Sequence, residues 1–426
     1  MTDLAWMSES LKAARPQAVG ALLRYFRDLD TAEEAFQEAC LRAMKSWPVN
    51  GPPRDPAAWL IFVGRNFGLD QARRNKRQEP LSDEQAEATP DESQEDLAER
   101  LDNSQYRDDV LRLLFVCCHP DLPATQQIPV ALRIVSGLTV KEIARAFLVS
   151  EAAMEQRITR AKRAIGAAGV PFETPSAVER SERLGVVAAM IYLLFNEGYS
   201  ASGGEEHVRV PLCEEAIRLS RLLLRLFPAE PEIMGLTALL LLQHARAPAR
   251  LDASGNIVLL EDQDRSLWDR RLIEEGLAMI EKAVRHRRPG SYQVQAAIAG
   301  VHSQAERAED TQWEEIDRLY AVLEQIQPSP VITLNRAVAV SKVQGAAAAL
   351  AMIEPLADRL GNYFHFFGLR GALLMQLERM DEARVAFDRA IALANTAQEA
   401  AHIRSHIDRL MKDGNRRSSR KNSRTV

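Results

Sequence analysis

The stretch from Asp55 to Arg77, DPAAWLIFVGRNFGLDQARRNKR, constrains the fold most, because it begins as an apolar helix and ends as a cationic one. Its large apolar residues recur at helical spacing and predict a face turned toward a protein core: Trp59, Leu60, Val63 and Phe67. Its C-terminal half carries five basic residues against the single Asp70. Such a helix suits a polyanion, since contacts from Lys and Arg to phosphates supply most of the affinity for DNA. The alternative is a basic helix end that is merely solvated.

The residues before this stretch also predict helices. Residues 1–30 form one helix centred on Val19–Phe26, and Thr31 with Glu34 forms a capping box that starts the next. That second helix keeps an i, i+3, i+4, i+7 apolar pattern for four turns and is expected to end at Pro48. Its apolar positions are Ala32, Ala35, Phe36, Ala39, Cys40, Ala43, Met44 and Trp47; its opposite, solvated face carries Glu33, Glu34, Gln37, Glu38, Arg42 and Lys45. Residues 48–56, PVNGPPRDP, predict a loop.

Two spaced patterns between Leu29 and Arg77 resemble region 2 of sigma factors of the extracytoplasmic-function (ECF) group. The acidic pattern comprises Asp30, Glu33, Glu34, Gln37 and Glu38, and the AWL…RN…D…RR pattern comprises Ala58, Trp59, Leu60, Arg65, Asn66, Asp70, Arg73 and Arg74. The resemblance implies that Glu33, Glu34, Gln37 and Glu38 bind the β′ clamp of core RNA polymerase. It further implies that Arg65, Asn66, Asp70, Arg73 and Arg74 contact the −10 promoter element, and that the loop of residues 48–56 captures a flipped base.

An acidic segment follows. From Glu79 to Glu99 the chain has nine acidic residues and no basic one, a composition that cannot bury a core and predicts a disordered linker. Two roles are open for it. It is a spacer, or, as the resemblance implies, it threads through polymerase channels that are built for nucleic acid.

The second helical unit contains a helix-turn-helix pattern between Leu138 and Ile165. Thr139 and Glu142 form a capping box, Ser150 caps the second helix, and the core side is predicted to hold Ile143, Ala144, Phe147, Met154, Ile158, Ala161 and Ile165. Helices of this build place early residues in the major groove. The unit resembles sigma region 4, which implies that the −35 element is bound by Gln156, Arg157, Arg160, Lys162 and Arg163. Glu151 and Glu155 depart from this pattern; they accept from cytosine amino groups or stabilise the helix dipole.

The C-terminal half predicts helical repeats. A small, large, small and proline spacing recurs in three places and is similar to tetratricopeptide helices: Ala216, Ser220, Leu223 and Pro228; Ile316, Tyr320, Leu323 and Pro328; Gly371, Ala383, Phe387 and Ala390. Residues 251–267 interrupt the pattern as an insertion. The motif YLLFNEGYS, Tyr192–Ser200, is either a helix end packed on the first repeat or a contact surface for polymerase or the sigma domains. Repeats of this kind form a concave surface for a protein partner, here an unidentified one.

The whole chain is therefore predicted to be all-α, with five segments. These are residues 1–78 (sigma region 2), 79–105 (acidic linker), 106–170 (sigma region 4), 171–411 (helical repeats) and 412–426 (a basic disordered tail). The formal charge of −5 understates the capacity to bind nucleic acid, because the basic residues are concentrated in short segments.

Other classes of function find less support. Four cysteines without an export signal predict reduced thiols in the cytoplasm, and the adjacent Cys117 and Cys118 lack the spacing of a metal site. The longest apolar run, Leu184–Phe195, is shorter than the roughly 20 residues of a membrane-spanning helix. We expect no cofactor, no metal and no enzymatic activity, because no phosphate loop or nucleophile elbow occurs.

The sequence thus predicts an alternative sigma factor of the ECF subgroup with a tetratricopeptide-like extension. Its expected partners are core RNA polymerase, through the β′ clamp and β flap, and promoter DNA. The repeat domain is expected to regulate the sigma regions in cis. The alternative is a helical-repeat scaffold with a DNA-binding head.

Overall fold

The computed structural model describes residues 5–78, 103–119, 122–147, 149–167, 177–200, 210–252, 258–394 and 404. Regular structure in these ranges is helical, which confirms the all-α fold. The chain divides into two compact units, Met1–Leu194 and Phe195–Val426. The predicted acidic linker, apart from its last three residues, and the whole predicted basic tail lie outside the described residues.

The first unit is built around its first helix. Its elements are α1 (Ala5–Phe26), α2 (Leu29–Asn50), α3 (Pro56–Gln78), α4 (Asn103–Cys117), α5 (Ala124–Ala131), a π-helical turn (Leu132–Ser136), α6 (Val140–Ala146), α7 (Glu151–Ala167) and most of α8 (Ala177–Ser200). Helix α1 packs against α2, α3, α4 and the π-helical turn. Gly20 permits the approach of α4, since a Cβ there would lie 2.7 Å from the carbonyl oxygen of Asp109. Sequence segments predicted as sigma regions 2 and 4 therefore share one core.

The start of α2 differs from the prediction. Helix α1 ends at Phe26, and Arg27 takes a left-handed conformation (φ 56°) that turns the chain. Asp28 is then the N-cap, because its Oδ2 accepts hydrogen bonds from the backbone N–H of Thr31 at 2.7 Å and from the hydroxyl of Thr31 at 2.6 Å. The predicted Thr31–Glu34 capping box is therefore wrong, and α2 begins two residues before Thr31.

The end of α2 also differs, because Pro48 does not end the helix. Trp47 is buried beside Trp6, with ring centroids 6.4 Å apart, and beside Trp59, at 5.5 Å. This packing holds the last turn, in which the missing N–H of Pro48 costs a single hydrogen bond. The helix continues to Asn50 and ends at Gly51 (φ 79°), whose N–H donates to the carbonyl of Trp47 at 2.9 Å. Residues 48–50 of the predicted loop are thus helical.

The second unit is a succession of helices, and from the second of them onward each packs on the next along the chain. They are the end of α8, α9 (Val210–Leu226), α10 (Pro231–His244), α11 (Arg270–Val284), α12 (Ser291–Gln304), α13 (Trp313–Ile326), α14 (Pro330–Val343), α15 (Ala346–Ile353), α16 (Phe364–Gln376) and α17 (Met380–Leu393). The predicted repeat positions are largely buried: Ala216, Ser220, Leu223, Ile316, Leu323, Ala383, Phe387 and Ala390. Gly371 lies against the Phe387 ring, which is the small-against-large contact that the pattern predicts.

The YLLFNEGYS motif ends α8, and its Tyr199 packs within the second unit. The guanidinium of Arg250 lies 3.5 Å from the ring centroid of Tyr199 and donates to the carbonyl of Tyr199 at 2.8 Å. Arg246 donates to the hydroxyl of Tyr199 at 2.7 Å. These contacts favour the interpretation of the motif as a packed helix end.

Candidate nucleic-acid and protein interface

The exposed face of α2 carries a stripe of acidic, polar and apolar side chains. Glu34 and Gln37 are exposed, and Glu38 is half-buried and accepts a hydrogen bond from Arg42 at 3.0 Å. Leu41 and Met44 continue the same line and remain 49% and 47% exposed. Residues three or four apart on a helix lie on one face. We call Glu34, Gln37, Glu38, Leu41 and Met44 the α2 stripe.

Sequence reasoning missed the apolar part of the α2 stripe. The helical spacing predicts a core position for Met44, yet Met44 lies at the edge of the apolar pattern and is exposed. The same spacing predicts neither face for Leu41. Their spacing from Glu34, Gln37 and Glu38 was the available signal. Exposed apolar residues flanked by charges are typical of a protein interface.

Glu33 does not lie on the exposed face of α2. It is 5% exposed, although the sequence placed it with the solvated residues. Its Oε2 accepts a hydrogen bond from Nζ of Lys162 at 2.6 Å, and its Oε1 accepts one from Arg15 at 3.2 Å. The predicted solvated position of Glu33 is therefore wrong, because two cations of the first unit hold it inside.

Helix α3 is predicted to carry the −10 contacts. Arg65 lies with its guanidinium 4.6 Å from the ring centroid of Tyr25, and Asn66 is exposed. Asp70, Arg73 and Arg74 follow on the same helix, and their side chains lie outside the described part of the chain. Leu60 is fully buried, whereas Trp59, Val63 and Phe67 are half-buried.

Helices α6 and α7 form the predicted helix-turn-helix. Thr139 accepts from the backbone N–H of Glu142 at 3.1 Å, and the Glu142 carboxylate accepts from the backbone N–H of Thr139 at 2.7 Å, which confirms this capping box. The hydroxyl of Thr139 also donates to the Glu142 carboxylate, at 2.8 Å, and the two bonds that this carboxylate accepts from Thr139 lower the pKa of Glu142. Ser150 accepts from the N–H of Ala153 at 3.2 Å and starts α7.

The outer side of α7 presents most of the predicted −35 residues. Gln156, Arg160 and Arg163 are exposed and Arg157 is half-buried, while Met154, Ile158, Ala161 and Ile165 face the core. Lys162 is the exception, because it points toward α2 and bonds to Asp30 at 2.7 Å and to Glu33 at 2.6 Å. Burial opposes its charge, but the two carboxylates outweigh burial and raise the pKa of Lys162.

The cysteines form no metal site in the described part of the chain. Cys117 and Cys118 are buried, and burial raises the pKa of Cys118 to about 12. Among the described residues, no three or more His, Cys, Asp or Glu side chains group closely enough to hold a metal ion. None of the helices in these ranges is long and apolar enough to span a membrane.

Comparisons with known proteins identify the family. Residues 11–78 match sigma-70 region 2, residues 112–165 match sigma-70 region 4, and residues 183–284 match a family of unknown function (DUF6596). The chain belongs to the sigma-70 family. It is an ECF-like sigma factor with a C-terminal helical extension.

One relative is similar over nearly the full length of this sigma factor. An uncharacterized protein of Rhizobium meliloti (strain 1021) is 69% identical over 410 residues, which cover 96% of this chain and 97% of the relative. No solved structure matches. The two sigma regions give the chain a role in promoter-specific transcription, with core RNA polymerase and promoter DNA as its partners.

Proposed function

We propose that this protein is an alternative sigma factor whose C-terminal helical domain, residues 176–411, regulates the sigma unit in cis. The supporting observation is that the Rhizobium meliloti relative aligns with both parts in a single chain. A covalent link gives the helical domain an effective concentration of about millimolar toward the sigma unit for a short flexible linker, so that even a weak contact would be occupied. The domain either masks the polymerase-binding face or helps the sigma regions to hold polymerase.

Truncation distinguishes masking from assistance. A stop after Ser200 keeps α8 whole, which matters because Arg183 of α8 lies with its guanidinium 5.6 Å from the ring centroid of Phe115. Run-off transcription with core polymerase would compare the truncated and full-length proteins at one promoter and one concentration. A gain of transcript indicates masking, and a loss indicates assistance. Equal transcription would contradict cis regulation and leave the domain as a docking site for an outside partner.

We further propose that the α2 stripe binds the β′ clamp and that the α4–α7 segment contacts the β flap. The exposure of Glu34, Gln37, Leu41 and Met44, with the half-buried Glu38 among them, supports the first assignment. For DNA, we assign Arg65, Asn66, Asp70, Arg73 and Arg74 to the −10 element and Gln156, Arg157, Arg160, Lys162 and Arg163 to the −35 element.

The same proposal makes the protein a transcription factor of the cytoplasm without enzymatic activity. Its support is the identity of its partners, polymerase and DNA, together with the lack of a catalytic motif in the sequence. A scaffold with a DNA-binding head would bind DNA but would yield no promoter-specific transcript when mixed with core enzyme. The run-off assay therefore also decides between these two functions.

A further inference from the structure

The C-terminal ends of α9 and α11 lie side by side in the second unit. Along their length, Arg221 of α9 donates to the carboxylate of Glu275 of α11 at 2.6 Å. Beyond the end of α11, Arg288 donates to the carbonyl of Ala229 at 3.5 Å and pairs with Glu230 at 3.6 Å, and both of these partners follow the end of α9. The two helices therefore run in the same direction and end next to each other.

Five cations gather where the two helices end. Arg225 lies in the last turn of α9, Lys282 lies in the last turn of α11, and Arg285, Arg287 and Arg288 follow α11. All five are exposed. Lys282 and Arg285 are three residues apart and so face the same side. We call Arg225, Lys282, Arg285, Arg287 and Arg288 the basic patch.

Few carboxylates face the basic patch. Within the part of the chain that the structure describes, Arg288 is the one member of the patch with an ion pair, to Glu230. Glu281 is exposed on α11. Glu232 is turned instead to the N-terminus of α12, where it accepts from two backbone N–H groups at 3.1 Å.

Helix dipoles are the ordinary reason for cations at these positions, but they account for only part of the charge. A helix C-terminus is equivalent to about −0.5 of an elementary charge, so the two ends together offset about one of the five cations. Glu230 and Glu281 offset two more. The basic patch therefore keeps a net charge of about +2 after these contributions, although the whole chain has a formal charge of −5.

The side chains around the basic patch suit phosphates better than a protein partner. In the described ranges 221–230 and 278–290, Val284 is the one exposed large apolar side chain. Protein interfaces are built around an apolar core, whereas contacts to DNA phosphates are made by Arg and Lys and require no particular base sequence. Duplex DNA carries one negative charge per about 1.7 Å of helix axis.

Promoter DNA is also a polyanion that this chain already meets through its sigma regions. The second unit belongs to the same chain, so a weak contact to the same DNA would act at a high effective concentration. We propose that the basic patch is a further DNA-binding surface, which contacts duplex phosphates while the sigma regions hold the promoter. This inference goes beyond the proposed regulation in cis, because it gives the second unit a partner outside the chain.

The salt dependence of DNA binding tests this proposal in the free full-length protein. The probe is a fluorescein-labelled duplex without promoter elements, and fluorescence anisotropy gives Kd over a range of salt concentrations. The logarithm of the association constant falls against the logarithm of the salt concentration with a slope of about −0.9 per phosphate contact. Lys282→Gln with Arg285→Gln should therefore make the slope shallower by about 1.8 and weaken binding by up to about 60-fold at about 0.1 M salt, if this salt-dependent contribution vanishes at about 1 M.

Two matched variants make this result specific. Arg359→Gln with Arg384→Gln removes the same charge from exposed positions of the second unit outside the basic patch and should leave the slope unchanged. Lys282→Arg with Arg285→Lys keeps both charges and should bind DNA as wild type does. Thermal melting checks that each variant folds. A wild-type slope in Lys282→Gln with Arg285→Gln, or an equal change in the control pair, would overturn the proposal.

Photocrosslinking tests the contact in the transcription complex. Val284 is 64% exposed within the sequence of the basic patch, and Val385 is 66% exposed outside it. We expect Val284→p-benzoylphenylalanine to link to labelled promoter DNA in the complex with core polymerase, and Val385→p-benzoylphenylalanine to give no such link. The lack of a DNA link from the first variant, or a link to a polymerase subunit in place of DNA, would overturn the proposal. The salt measurement requires no polymerase, so it stands apart from the test of cis regulation.

Discussion

Charge reversal on the α2 stripe is the most direct test of the proposed polymerase contact. Glu34→Lys with Glu38→Lys changes two carboxylates outside the core of the first unit. The ion pair of Glu38 with Arg42 would be lost; it is a partly exposed i, i+4 pair that contributes about 0.3–0.5 kcal/mol. For a unit of this size 1 kcal/mol shifts Tm by about 2–4 °C, so we expect a fall of about 1–2 °C.

The effect on binding should be much larger. Close charge pairs across a protein interface contribute about 1.5 kcal/mol or more, so each carboxylate that meets a basic residue of polymerase should account for at least about a tenfold change in Kd. Competition against a labelled reference sigma factor, followed by fluorescence anisotropy, measures this Kd. Because the contact is exposed before binding, the effect should shrink as the salt concentration rises.

Two controls make the result specific. Glu9→Lys with Glu182→Lys carries the same charge change at exposed positions of the first unit away from the α2 stripe, and it should leave Kd unchanged. Glu33→Gln acts on the buried neighbour and should lower Tm, because Arg15 and Lys162 lose their shared partner. Wild-type core affinity in the Glu34 and Glu38 double variant would show that the α2 stripe is not the polymerase surface.

Three further predictions concern the other elements. Alanine at Arg157 or Arg160 should weaken −35 binding in a footprint. Loss of an arginine that reads a base should cost about 1–3 kcal/mol of binding free energy at one base pair, whereas loss of one that binds phosphate should weaken binding to all sequences alike. Unchanged footprints would remove both residues from the interface. Gly371→Ala should destabilise the second unit by about 1–3 kcal/mol, because the new Cβ would lie 2.8 Å from the Phe387 ring, and an unchanged denaturant midpoint would contradict this packing. In wild type, the lowered pKa of the Glu142 carboxyl stabilises the fold above the unfolded pKa of Glu, and this stability is lost as the pH falls through the folded pKa. Glu142→Gln removes the titrating group, so its Tm should depend less on pH in this acidic range. Equal pH profiles of Tm for the two proteins would refute the prediction.

Local pattern was enough to predict the buried faces of the helices. Phe36 and Trp47 on α2, and Met154 and Ile158 on α7, are all buried as their helical spacing predicts. The Thr139 capping box is likewise local, since its two residues are three apart. These features depend only on residues that are close in sequence, so the sequence is enough to predict them.

The predictions are wrong where a distant residue or a competing neighbour determines the local structure. Asp28 displaced Thr31 as the cap because the left-handed Arg27 places the turn earlier. Pro48 failed to end α2 because the packing of Trp47 outweighs one lost hydrogen bond. Asp28 and Trp47 are both visible in the sequence, but how strongly each stabilises α2 depends on its contacts in the fold.

Glu33 shows why the binding surfaces could be predicted only in part. A periodic pattern divides a helix into an apolar face and a polar face, and Glu33 falls on the polar side of α2. The partner that buries it, Lys162, is 129 residues away, so no local spacing specifies the bond. Helix α2 in fact has three faces: one toward the core, one that forms ion pairs with α7, and the exposed stripe. An amphipathic pattern cannot separate the face toward α7 from the exposed stripe, because both carry carboxylates. Only the fold, by bringing α7 against α2, assigns Glu33 to the interior while its neighbour Glu34 stays on the exposed face.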